Sequence, residues 1–281
     1  MNVLLKTIGF FLNVLAVIFP RRAGRLGFAI LCRPVRTKIT QRHRTFFDSA
    51  DQFTLQHGND TVRGYRWGNG PQTVLLLHGW QSHSYYWKQY VDTIDLSRYT
   101  LYAFDAPGHG LSTGNFLTMP YYSDVVEKVI EQIGSVNSVV AHSIGGLTAI
   151  YTFYRKPTLS PARLVTLSAP GQVQEFFDLF KRQLGLTQHC VRQVMTCFEA
   201  LVQKPTAYYS AATFARSLIS RGLVIHDQND RNTPVANARA IHENWKQATL
   251  MVTNGNDHNL RSADVVKQVS DFLSNKITQP Y

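Results

Sequence analysis

The stretch that most limits what this chain can fold into is residues 138–154, SVVAHSIGGLTAIYTFY. Val139, Val140 and Ala141 form a short apolar run rich in β-branched residues, which suits a buried strand. A turn through His142-Ser143-Ile144-Gly145-Gly146 follows, built largely from small residues. Leu147, Ile150, Tyr151 and Tyr154 then recur at helical spacing. A strand that turns this sharply into a helix leaves Ser143 at the apex, at the end of a sheet. The helix begins there with N–H groups that have no intrahelical partner, led by that of Ile144, and they converge on the same point.

The rest of the chain supplies the sheet. Gln52–His57 and Val62–Trp67 flank the turn signal Gly58-Asn59-Asp60 and read as a β-hairpin. Thr73–Leu77, Tyr99–Phe104, Leu164–Leu167, Leu223–Ile225 and Thr249–Val252 read as short apolar strands. Helices are expected over Pro120–Ile133, Pro234–Trp245 with Thr233 as N-cap, and Ser262–Leu273. This alternation predicts an α/β protein with a mostly parallel sheet covered by helices on both faces. Gly171–Arg221 interrupts it with no strand signal. Val191, Val194, Met195, Phe198 and Val202 repeat there at helical spacing, and Phe176, Phe177 and Phe180 form a second cluster. We expect a helical cap over the C-terminal strand ends, its aromatic faces packed mostly on the core below. The expected division is an arm over 1–48, a core over 49–170 and 222–281, and a cap over 171–221.

The net charge of +11 suggests nucleic acid until it is located. Residues 1–47 hold nine Lys or Arg and no acid, while the other 234 hold 20 basic and 18 acidic side chains. The excess belongs to the arm, and no nucleic-acid motif accompanies it. Within the arm, Val3–Phe19 is apolar apart from Lys6, Thr7 and Asn13. It is shorter than the roughly 20 residues a spanning helix needs. On a helix, Lys6, Gly9, Asn13 and Ala16 share one narrow stripe. Docking on the protein body is the favoured expectation, and peripheral contact with a membrane is the alternative. Cys32, Cys190 and Cys197 form no disulfide framework and no zinc spacing, which points to a reducing, cytoplasmic setting.

Small-x-Ser-x-Gly on a strand–turn–helix resembles the nucleophile elbow of the α/β-hydrolase family, with Ala141 where glycine is usual. The resemblance spans residues from about 52 to 274. It implies an α/β-hydrolase fold in which nucleophile, acid and base follow in that order. Asp230, four residues before Pro234 in a loop after an apolar strand, matches the acid. His258, in the loop after the last strand, matches the base. His78-Gly79-Trp80 resembles the oxyanion loop, so the backbone N–H groups of Trp80 and Ile144 are the implied oxyanion donors. Asp227 is read as capping its loop, with Asn there expected to leave turnover near wild type. His78 and the loop Asp105-Ala106-Pro107-Gly108-His109-Gly110 are read as structural. Gly110-Leu111-Ser112-Thr113-Gly114 fits G-x-S-x-G more literally, but no helical run leaves it, so Ser112 is read as a loop residue bonding local backbone.

The implied activity is a serine hydrolase acting through an acyl-enzyme on a carboxylic ester, a small molecule with an apolar part. The chemistry needs no cofactor and no metal; no H-E-x-x-H or H-x-H-x-D-H is present. An acyltransferase using the same three residues, and a binding protein that keeps the fold without the chemistry, are the alternatives.

Overall fold

The computed structural model describes residues 3–275. The chain divides into two compact units, Met1–Pro34 with Gln172–Ser210 and Val35–Gly171 with Ala211–Tyr281.

In the larger unit, helix α3 is Gln41–Asp48 and strands β1 (Asp51–His57) and β2 (Asp60–Trp67) form the expected hairpin. After β3 (Gln72–Leu77) come the short α4 (Lys88–Thr93), β4 (Tyr99–Asp105) and α5 (Met119–Ile133). Next are β5 (Ser138–His142), α6 (Ile144–Arg155) and β6 (Arg163–Leu167). After the residues assigned to the other unit come α9 (Ala211–Ala215), β7 (Arg221–Asp227), α10 (Val235–Asn244), β8 (Ala248–Thr253) and α11 (Ala263–Leu273). The eight strands form one sheet in the order β1-β2-β4-β3-β5-β6-β7-β8. β1 and β2, and β2 and β4, pair antiparallel; every other pairing is parallel. Every residue of the central strand β5 is buried, which is why it reads as a continuous apolar run rather than an alternation. The direction of strand addition reverses between β3 and β5, and open α/β sheets place their sites at the C-terminal strand ends beside such a reversal.

The smaller unit is helical: α1 (Val3–Ile18), α2 (Pro20–Leu31), α7 (Gln174–Leu184) and α8 (Gln188–Val202). Gly9, Leu12 and Ala16 of α1 are buried, as are Ala23, Gly24 and Gly27 of α2. A Cβ on Gly9 would lie 1.9 Å from the Leu184 carbonyl oxygen, and one on Gly24 would lie 2.5 Å from that of Gln193. Small residues thus let the backbones of the arm and of residues 172–210 touch. The aromatic side chains expected to face the core pack here among themselves: Phe177 against Phe198, and Phe198 against Phe28 and Tyr209.

This grouping departs from the expected arm, core and cap. The arm's first 34 residues join the inserted helices because of that stripe of small residues. Residues 35–48 join the sheet unit instead. Arg36 donates to the carbonyls of Gly110 at 2.9 Å and Gly114 at 2.8 Å. Phe46 and Phe47 stack on Trp67 and Tyr65 in the core.

Candidate active site

The turn after β5 is strained at one position. Ser143 has φ 53° and ψ −125°, a region that L-residues avoid at a cost of about 1–3 kcal/mol. Its N–H is bonded to the Leu167 carbonyl at 2.8 Å, which pins the elbow to the end of β6. Gly145 is obligatory here, because a Cβ would come 2.7 Å from the Leu77 carbonyl and 2.8 Å from that of His78. Sequence and strain together lift the Ser143 hydroxyl off the end of the sheet.

Loops after β7 and β8 bring two more expected residues to that hydroxyl. His258 Nε2 lies 3.0 Å from Ser143 Oγ, and its Nδ1 lies 2.8 Å from Asp230 Oδ2. A carboxylate at Nδ1 holds the proton there, so Nε2 presents a lone pair to the serine. The Asp230 side chain is fully enclosed. Burial would raise its pKa. The hydrogen bonds from His226 and His258, the charge of His258 and the Thr233 N–H outweigh burial and hold the carboxyl well below the usual range.

Three side chains that the sequence reading passed over complete this corner. Thr233 does not cap α10, whose N-cap is Pro234. Its hydroxyl instead donates to Asp230 Oδ2 at 2.8 Å, and its N–H donates to Oδ1 at 3.1 Å. His142, beside the serine, donates from Nε2 to the His258 carbonyl at 2.9 Å. Its ring stacks on that of Tyr86 at 4.4 Å, and the Tyr86 hydroxyl donates to the Asn259 carbonyl. Two consecutive carbonyls of the histidine loop are therefore tethered. Thr233 gave only a capping signal in the sequence, and His142 and Tyr86 gave none.

Asp227 caps its loop as expected and does more. It is buried and accepts hydrogen bonds from the N–H groups of Asn229 and Asn256 and the hydroxyl of Thr253. It thus ties the loop carrying Asp230 to the loop carrying His258. Asp227→Asn turns an NH₂ group towards one or more of these donors, which costs about 2 kcal/mol or more. We expect a melting temperature lower by about 4 °C or more, with a loss of turnover, rather than near-wild-type behaviour. Thermal melts of the two proteins at neutral pH check this.

Of the two residues expected to donate to an oxyanion, Ile144 directly follows the serine and Trp80 directly follows a glycine packed against it. Ile144 is the first residue of α6, so its N–H has no intrahelical acceptor. The Gly79-Trp80 segment lies against the elbow: a Cβ on Gly79 would be 2.9 Å from His142 Nδ1 and 3.0 Å from Ser143 Cβ. Two buried histidines fix this loop. His78 donates from Nδ1 to the Gly79 carbonyl at 2.8 Å and accepts the Ala106 N–H at Nε2 at 2.9 Å. His109 donates to the Pro107 carbonyl at 3.0 Å and accepts the Gln81 N–H at 3.0 Å. Ser112, the literal motif serine, is buried; its hydroxyl donates to the Asp105 carbonyl and accepts the Arg63 N–H at 2.8 Å.

Comparison with known proteins agrees with this architecture. The chain is 32% identical over 115 residues to a pimeloyl-[acyl-carrier protein] methyl ester esterase of Nitrosospira multiformis, covering 38% of this chain and 42% of that protein. It is 32% identical over 163 residues to a protein of the same name from Vibrio vulnificus, covering 55% of this chain and 62% of that one. The chain therefore spans less than two thirds of either relative. Among solved structures, a bacterial membrane phospholipase A superposes with a TM-score of 0.64 at 18% identity, covering 96% of this chain and 99% of that one. At that identity the likeness is one of fold. A family model described as the alpha/beta hydrolase family matches residues 74–268, from β3 into α11. The chain belongs to the alpha/beta hydrolase family.

Proposed function

We propose that the chain is a serine hydrolase that cleaves a carboxylic ester through an acyl-enzyme on Ser143. One observation carries the reading: hydroxyl, imidazole and carboxylate stand in series at 3.0 and 2.8 Å beneath a strained elbow. In this reading Ser143 Oγ attacks the ester carbonyl while His258 Nε2 takes its proton. Asp230 holds the imidazole in orientation and stabilises the cation that forms. The N–H groups of Ile144 and Trp80 receive the negative charge that develops on the carbonyl oxygen. His258 then returns its proton to the departing alcohol, and a water molecule, activated by the same imidazole, releases the acid. Sequence likeness to proteins named methyl ester esterases supports an ester as the substrate. The substrate in this reading carries an apolar portion.

The test is a fluorophosphonate probe together with a panel of p-nitrophenyl esters of rising acyl length. We expect covalent labelling that maps to Ser143, and turnover with a preference along the panel. A folded protein that takes no label and turns over none of the esters would leave a binding role in its place. Product esters formed with an added alcohol, at the expense of free acid, would mark the protein as an acyltransferase.

A further inference from the structure

Helix α1 is turned the opposite way from a helix on a water-soluble surface. Its narrow polar stripe faces inward. Lys6 Nζ donates to the Arg182 carbonyl at 3.0 Å, and the Asn13 amide donates to the Gly185 carbonyl at 3.0 Å while accepting the Thr187 N–H at 2.8 Å. Its broad apolar face is bare: Leu4 is 66% exposed, Phe10 63%, Phe11 65%, Val17 79% and Ile18 61%. Together with Val3 and Val14, which are exposed as well, these side chains fall at three- and four-residue spacing and form one strip along a helix about 24 Å long, interrupted only by Thr7. Soluble helices bury the apolar face and expose the polar one. Here Lys6 and Asn13 are bonded to the protein's own backbone, and nothing on most of the outer face requires water.

Charge identifies the occupant of that strip. Arg21, Arg22 and Arg25 on α2 are exposed, and no carboxylate pairs with them among the described residues. Arg22 lies 5.1 Å from the ring of Phe19, which is half exposed where the strip ends. The helical unit as a whole has nine basic and three acidic side chains. An apolar strip bordered by unpaired arginines fits acyl chains beneath a layer of phosphates. A second copy of the chain would offer those arginines little counter-charge, since the same unit holds nine basic and three acidic side chains. Among the described residues no helix is long and apolar enough to cross a membrane. We propose that α1 lies in the interfacial layer of an anionic phospholipid bilayer, its phenylalanine face among the acyl chains and the arginines of α2 on the headgroups.

Flotation of the intact protein with vesicles tests this at about 0.15 M salt, where surface charges still act within about 8 Å. Equimolar phosphatidylcholine and phosphatidylglycerol should carry the protein up the gradient, and phosphatidylcholine alone should bind it at least tenfold more weakly. The double variant Phe10→Asp/Phe11→Asp should lower partitioning about 100-fold, about tenfold for each ring withdrawn. Because both rings are exposed, its melting temperature and its turnover of a water-soluble ester should match wild type. Arg21→Glu/Arg22→Glu should abolish the preference for anionic vesicles without altering the fold. Failure of the intact protein to float with anionic vesicles would overturn the proposal, as would flotation undiminished in the phenylalanine variant. A dimer that the phenylalanine variant converts to monomer, with neither form bound to vesicles, would assign the strip to a second copy and overturn it equally.

Discussion

Ser143→Ala is expected to lower kcat by about 10⁴-fold or more, with residual turnover left to the oxyanion donors and to binding alone. The loss should be this large because the hydroxyl has no substitute. The nearest other serine that a motif search would choose, Ser112, is buried and has its oxygen committed to the Asp105 carbonyl and the Arg63 N–H. Ser112→Ala should therefore cost about 1 kcal/mol of stability and leave kcat within a few-fold of wild type. Asp230→Asn belongs with Ser143→Ala. An amide at that position either presents NH₂ to His258 Nδ1 or leaves the imidazolium without its counter-charge, and we expect about 10⁴-fold in kcat. Steady-state rates on the best ester of the panel, with circular dichroism to show that each variant folds, decide the matter. Loss of activity in Ser112→Ala with retention in Ser143→Ala would remove the proposed mechanism altogether.

What the sequence revealed and what it concealed follow from range. The elbow was legible because strand, turn and helix are local signals. Ser143, Asp230 and His258, which the structure sets in series, are each legible as loop residues because each follows a strand with a recognisable apolar run. The hairpin and the parallel strands were legible for the same reason. Thr233 carries a strong local capping signal because it precedes a proline, and that signal masks its bond to Asp230 three residues earlier in the loop. His142 and Tyr86 were invisible because their partners, the carbonyls of His258 and Asn259, lie more than a hundred residues away. Asp227 shows only its local turn signal for the same reason, since two of its three donors come from the end of β8 and the loop after it. The small-residue stripes of α1 and α2 were partly legible. Periodicity showed the stripe on α1 but not which helices it would touch, so the arm was separated from the very residues it packs on.

Stability should collapse as the pH falls from about 6.5 towards 4, and the cause lies in three buried histidines. Burial pushes His78 down to about 4 and His109 and His142 down to about 3. The neighbouring imidazoles add to the effect, His78 on His109 and His258 on His142. Hydrogen bonding explains why no relaxation relieves it for two of them. His78 Nε2 and His109 Nε2 each accept a backbone N–H, so a proton added there would face another proton. In the unfolded chain an imidazole takes up its proton near pH 6.5. Between that value and about 4 the unfolded state thus holds roughly three protons that the folded state lacks. Stability therefore rises with pH across this window and is fully present above it. Each proton contributes about 1.4 kcal/mol per pH unit, so the slope reaches about 4 kcal/mol per unit where all three act together. Against a typical total of about 5–15 kcal/mol, two units suffice to unfold the domain. Asp230 acts lower down: its folded pKa is depressed, so its contribution is present above the ordinary carboxylate value and is lost only as the pH drops further. Urea midpoints measured from pH 7.5 to 4.5 should fall steeply below about 6.5. His142→Gln, which keeps a donor for the His258 carbonyl, should flatten the slope by about a third. Midpoints that stay level from pH 7 to 5 would show that these histidines are protonated in the folded protein. The fixed tautomers that hold the Gly79-Trp80 segment against Ser143 would then have to be abandoned.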